Sequence, residues 1–163
     1  MTLRISLLLL LAVAMTACGF QLRGSNLAAL KNSRVYIKSG GTDELALQVR
    51  RKLEFSDVPV IEDAAEADYI IELSHESFKR SVLSVSAETG KVEEYEITYK
   101  TLLTINGPNG QVLLKTEPIT AQRDYTFDED SVLGKFDEEN KLREELTRHA
   151  ADMVLRRFQA VNR

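Results

Sequence analysis

The chain begins with an apolar run, Ile5 to Ala14, behind the single basic residue Arg4. At about ten residues it is too short to cross a bilayer core of roughly 30 Å. Past Asn32 the pattern becomes that of a folded domain. Arg34 to Lys38 has the Val/Tyr/Ile enrichment of a short strand, broken by Ser39-Gly40-Gly41. Thr42 stands where a helix cap belongs, with Asp43 and Glu44 in the first turn. Leu45, Val49 and Leu53 recur every fourth residue and predict one buried helical stripe, with Ala46 beside it. Pro59 lies beyond that helix, and the acidic, alanine-containing connector Glu62 to Asp68 has room for one helical turn.

Three long strands follow. Tyr69 to Phe78 alternates loosely and runs on through Lys79-Arg80 to Ser86, and Glu88-Thr89-Gly90-Lys91 is a turn signal. The next run has a clean period of two. Tyr95, Ile97, Tyr99, Thr101, Leu103 and Ile105 share one face, while Glu94, Glu96, Thr98, Lys100 and Thr104 share the other. Asn106-Gly107-Pro108-Asn109-Gly110 is a hairpin loop, and Pro118 predicts a bulge or an edge in the last strand, Val112 to Phe127. The glycines at 40, 41, 90, 107 and 110 read as turn positions. A final helix carries Leu142, Leu146, Ala150, Val154 and Phe158 as its stripe. Acids from Asp137 to Glu145 crowd its start, and Arg148, Arg156 and Arg157 load its end. The expected class is α+β, with two helices on one face of a four-stranded mixed sheet in the order β-α-β-β-β-α. Only the first crossover leaves room for a parallel pair.

Composition sharpens the picture at the amino terminus. Met15-Thr16-Ala17-Cys18 follows the apolar run, and Cys18 is the only cysteine. Small residues before a cysteine are what the bacterial lipoprotein pathway reads. It acylates the thiol, cleaves before it and acylates the new amino terminus. The expected division is a signal peptide over 1–17, a lipidated linker over 18–32 and one domain over 33–163. Gly19 stands where an aspartate would retain the protein at the inner membrane, so the outer membrane is the expected destination. No second apolar run approaches spanning length. The formal charge of −4 argues against a nucleic-acid binder, so any anionic ligand needs a local basic patch.

No catalytic constellation is visible. His75 falls in a strand and His149 on the last helix, neither with a local partner. No metal-ligand spacing or phosphate loop is present, and Glu138-Glu139 and Glu144-Glu145 read as a solvated helix face. The expectation is a non-enzyme without a cofactor.

Several motifs occur together. Cys18 is followed by Gly19-Phe20-Gln21-Leu22-Arg23-Gly24, and Glu94-Tyr95 opens the long third strand. Arg123-x-Tyr125 leads to Leu133-x-Lys135, and the last helix ends in Leu155-Arg156-Arg157-Phe158. In combination with length and element order, the chain resembles the LptE family of LPS-assembly lipoproteins over nearly all of its mature length. That resemblance implies a one-to-one complex with LptD, an outer-membrane β-barrel that the lipoprotein plugs and helps assemble. It also implies binding of lipopolysaccharide on its way to the outer leaflet, and attachment to the inner leaflet of the outer membrane through acyl chains.

Under this resemblance the lipid A phosphates need Lys or Arg donors. Lys135, placed in the loop before the last helix and near its positive end, is the first candidate. Lys91 in the hairpin turn, with Lys79 and Arg80 on the preceding strand, forms the second. Tyr125, Phe127 and Arg23 are candidates for the barrel interface, although Tyr95, Tyr99, Tyr125 and Phe127 are residues that more often form core or cross-strand pairs. A stand-alone periplasmic lipid-transport auxiliary is the competing reading.

Overall fold

The computed structural model describes Leu27, residues 30–126 and residues 132–162, with side chains of the last helix described from residue 138. Cys18, Arg23 and Phe127 lie outside the described residues. The elements are β1 (Val35–Gly40), α1 (Asp43–Phe55), β2 (Val60–Ile61), β3 (Tyr69–Val85), β4 (Val92–Asn106), β5 (Val112–Thr126) and α2 (Val132–Val161). The sheet has five strands in the order β2-β1-β3-β4-β5, one more than expected. The additional strand is two residues long. Pro59 leads into it, its carbonyl accepts from the Val35 N–H at 2.9 Å, and Val60 and Ile61 then pair in parallel with Val35 and Tyr36. A pair this short has no period to betray it.

Parallel pairing is confined to β1, which takes β2 on one side and β3 on the other; β3, β4 and β5 are antiparallel. The single-turn expectation for the acidic connector holds as a 3-10 turn over Ala64–Glu66, capped by Asp63 accepting from the Ala65 N–H at 2.9 Å. Pro118 sits on β5, an edge strand that needs no second ladder.

Both helices cover one face of the sheet. Leu45, Val49 and Leu53 of α1 are fully buried, as are Ala150, Val154 and Phe158 of α2. Beneath them lie Ile97, Tyr99, Leu103 and Ile105 of β4, so the period of two marks the core face as expected. The other face carries cross-strand polar pairs. Lys38 Nζ donates to Glu72 at 2.9 Å, Ser84 to Glu94 at 2.9 Å, and Thr104 and Thr116 share a hydrogen at 2.8 Å.

Three local expectations change. Thr42 does precede α1, but its hydroxyl does not cap: it is buried and turns to the Leu73 carbonyl at 3.4 Å, while Ser39 Oγ takes the Thr42 N–H at 3.1 Å. Gly40 is not a turn residue; it ends β1 opposite Ser74, where a Cβ would meet the Leu73 carbonyl and Ser74 Cβ at 3.3 Å. Finally, α2 begins at Val132, so its first turn holds no acid and its last no base. Dipole benefit fades beyond the terminal turn, so those charges act chiefly through side-chain pairs.

Candidate functional site

The loose alternation of β3 has a structural cause that also builds the site. Ile71 and Leu73 face the core, then the register slips between Ser74 and Ser77 around His75, whose φ is 58°. A bulge inserts a residue and reverses which parity faces inward. Beyond it Phe78 lies opposite Tyr99 and Arg80 opposite Ile97, so both point to the helix side. Lys79 pairs with Thr98 and points to the open face.

On the helix side an aromatic floor forms. The rings of Phe78 and Tyr99 lie 4.8 Å apart, and those of Tyr95 and Tyr125 stack at 5.8 Å and 27° across β4 and β5. Two guanidiniums rest on this floor. Arg80 Cζ is 4.8 Å from the Tyr95 ring centre and Arg143 Cζ is 4.9 Å from that of Phe78. Glu139 joins them, accepting from Arg80 Nη1 at 3.3 Å and from Arg143 Nη2 at 2.7 Å and Nε at 3.2 Å. Arg80, Glu139, Asn140 and Arg143 line an open cleft of about 480 Å³.

One carboxylate shared by two guanidiniums leaves a net positive charge and spare N–H donors, suited to a phosphate or carboxylate. The Tyr99 and Tyr125 phenols are both shifted upward. Burial, reinforced by donation to Glu76 at 2.8 Å, pushes Tyr99 up. Tyr125 is raised by partial burial against the opposing effect of Arg80. The Tyr125 hydroxyl in turn holds Arg80 above the ordinary arginine range. The arrangement offers guanidinium donors to an anion.

Of the residues singled out in the sequence, Arg80 and Tyr125 enter this cluster, with Tyr95 and Tyr99 in its floor, and Lys79 and Lys91 do not. Lys79 is on the opposite face of the same strand. Lys91 is exposed in the β3–β4 turn, which starts past Val85, roughly 16 Å along the strand from Arg80 at ~3.3 Å per residue. The expected Lys79–Arg80–Lys91 cluster is thus not assembled. Lys135 lies within the first turn of α2 and not in a loop before it; its backbone is one turn ahead of Glu139, and its side chain is outside the description. His75 and His149 are exposed, as the sequence suggested. Arg143 and Glu139 were missed, because Glu139 reads as part of a solvated acidic face. Their spacing of four was the available signal.

The fold and this cleft define a small α+β domain of the kind seen in bacterial lipoproteins. The rare lipoprotein B of Shewanella oneidensis has a similar structure, with a TM-score of 0.69 and 28% identity, covering 79% of this chain and 96% of that one. Lipoprotein B of Nitrosomonas europaea shares the fold at a TM-score of 0.71 and 24% identity, covering 88% and 92%. In sequence, the LPS-assembly lipoprotein LptE of Pectobacterium atrosepticum is 31% identical over 165 residues, covering 96% of this chain and 85% of the relative. That of Photorhabdus laumondii is 28% identical over 162 residues, covering 97% and 86%. The family model described as LptE, lipopolysaccharide-assembly, matches residues 32–158. The chain belongs to the LptE lipopolysaccharide-assembly family.

Proposed function

We propose that this protein is a lipid-anchored component of the outer membrane, facing the periplasm, that plugs and helps assemble an LptD-type β-barrel. It binds lipopolysaccharide during insertion into the outer leaflet and performs no chemistry on it. Residues 1–17 are the export signal, and Cys18 carries the palmitate-type acyl chains.

The observation that carries the ligand part is the Arg80–Glu139–Arg143 arrangement. Two guanidiniums held over aromatic rings and by Glu139 present donors to a phosphate without losing much side-chain freedom on binding. The turn of α2 that carries Lys135 adjoins this cleft, which makes Lys135 and Arg80 better phosphate ligands than Lys79 or Lys91. Beside the cleft, Val82, Leu83 and Val85 are half exposed at the end of β3, and Val82 lies opposite Tyr95. This apolar strand end, with Tyr125 and Phe127, is the proposed barrel contact, and Arg23 meets the barrel rim near the anchor. The polar outer face of the sheet suits the polar interior of a barrel.

The test is an affinity pull-down of the tagged, lipidated protein from detergent-solubilised outer membranes, read by mass spectrometry. A large β-barrel recovered in one-to-one amount is expected. Recovery of an inner-membrane transport system in its place would favour the lipid-transport auxiliary.

A further inference from the structure

At the end of the molecule away from the Arg80 cleft, the C-terminal halves of α1 and α2 diverge around a groove of about 580 Å³. It is lined by Arg51, Lys52 and Phe55 from α1 and by Asp152, Leu155 and Arg156 from α2. Phe55, the last residue of α1, is 93% exposed. Lys52 is satisfied by Asp152 at 2.8 Å. Arg51 and Arg156 are exposed and have no ion pair among the described residues. The groove lining is thus net positive in a chain whose formal charge is −4, even with Glu54 beside Phe55.

Leu27 lines the same groove and is buried there. It is the first described residue, and only eight residues separate it from Cys18. Extended chain reaches at most ~3.6 Å per residue, so the nine steps from an acylated Cys18 keep Leu27 within about 32 Å of the lipidated residue. An almost wholly exposed aromatic between two unpaired arginines has the chemistry of an interfacial contact. The ring enters the headgroup boundary while the guanidiniums meet phosphates.

We propose that this groove is a membrane-facing surface that docks on an anionic phospholipid leaflet, with Phe55 inserted and Arg51 and Arg156 on lipid phosphates. Its role is to orient the domain about its tether, and it rests on the lipid-anchor part of the proposed function. The sequence contains no tryptophan, so Phe55→Trp supplies a single fluorescent reporter at a position with no packing to lose.

The lipidated Phe55→Trp protein is reconstituted in vesicles of phosphatidylethanolamine with phosphatidylglycerol, and separately in phosphatidylcholine vesicles. The expected result in the anionic vesicles is a blue-shifted emission quenched by bromine-labelled acyl chains. In phosphatidylcholine the emission stays that of an indole in water. In a second arm the mature chain with Cys18→Ser, which needs no anchor, is bound to the anionic vesicles by sedimentation. Arg51→Ala with Arg156→Ala should weaken that binding about 30-fold, from ~1 kcal/mol per basic residue at such a surface.

An indole that stays in water in the anchored protein overturns the inference. So does an equal shift in both kinds of vesicle, or one that appears only when a protein partner is added. These outcomes separate from the pull-down: a protein that copurifies with its barrel while the indole stays wet loses this inference and keeps the proposed function.

Discussion

Glu139 decides the charge of the cleft. Removing its negative charge leaves Arg80 and Arg143 facing each other across the same space, with one unit more positive charge to offer an anion. Both arginines are partly in water, with side-chain exposures of 50% and 39%. Such pairs contribute little to stability, about 0–1 kcal/mol. Glu139→Gln should therefore shift urea unfolding by less than about 1 kcal/mol while tightening lipopolysaccharide binding roughly two- to fivefold. A titration monitored by fluorescence displacement reads the second effect. A large loss of stability with no gain in binding would make Glu139 a structural pin and remove the cleft from the ligand path. Arg80 and the tyrosines of this cluster were legible in the sequence, whereas Glu139 and Arg143 offered only their spacing of four. Glu139 and Arg143 look like surface charges until the bulge at His75 turns Arg80 toward them, and that bulge shows in the sequence only as the loose alternation of β3.

At the scale of elements, the register of the central parallel pair is held at its start by Arg34 and Asp68. The Asp68 N–H donates to the Arg34 carbonyl at 2.8 Å and the Tyr69 N–H to the same oxygen at 3.1 Å. In return, Asp68 Oδ2 accepts the Arg34 N–H at 2.7 Å. That backbone donor, with the Arg34 guanidinium second, holds the Asp68 carboxyl below the usual carboxylate range. Asp57 is lowered in the same direction by Lys31. A lowered folded value means that the unfolded chain binds protons first as pH falls. The contribution is thus complete above the unfolded pKa of about 3.9, and is lost as pH drops toward the folded value. Urea midpoints should fall below about pH 4, and Asp68→Asn should flatten that fall. Parallel pH profiles for the two proteins would show that the clasp does not respond to acid. The long elements were readable because each repeats its pattern: Leu45, Val49 and Leu53 on α1, and alternate residues from Tyr95 to Ile105 on β4. The two-residue β2 and the true start of α2 were not. One is shorter than any period, and the other begins in Val132-Leu133-Gly134-Lys135, ahead of the acidic run that looked like its first turn.

At the scale of the molecule, the fold and the anchor are separable. One continuous core joins Leu27 and Leu30 to both helices and four strands, and ends at Phe158. With a single cysteine the chain closes no internal disulfide, so packing alone carries the fold. No described helix is long and apolar enough to cross a membrane. Under the proposed anchor, membrane attachment and domain stability draw chiefly on different residues, and one substitution should divide them. Cys18→Ser should leave the unfolding free energy within about 0.5 kcal/mol of the parent, as for a change far from packed features. It should also remove the lipid anchor, so that chain in excess of its barrel leaves the outer-membrane fraction. In the proposed anchor, three acyl chains act through burial of their methylenes at about 0.8 kcal/mol each, and the reversible headgroup contacts of the domain are too weak to replace that. The barrel should still be bound by the purified Cys18→Ser chain, because the proposed contact at Val82, Leu83, Val85 and Tyr125 lies far from residue 18 in sequence and is made by folded strands. Fractionation, urea unfolding and barrel binding measured on this one variant separate the cases. A folded, soluble chain that no longer binds the barrel would place the essential contact in the lipidated linker and move the interface away from the β3–β5 end.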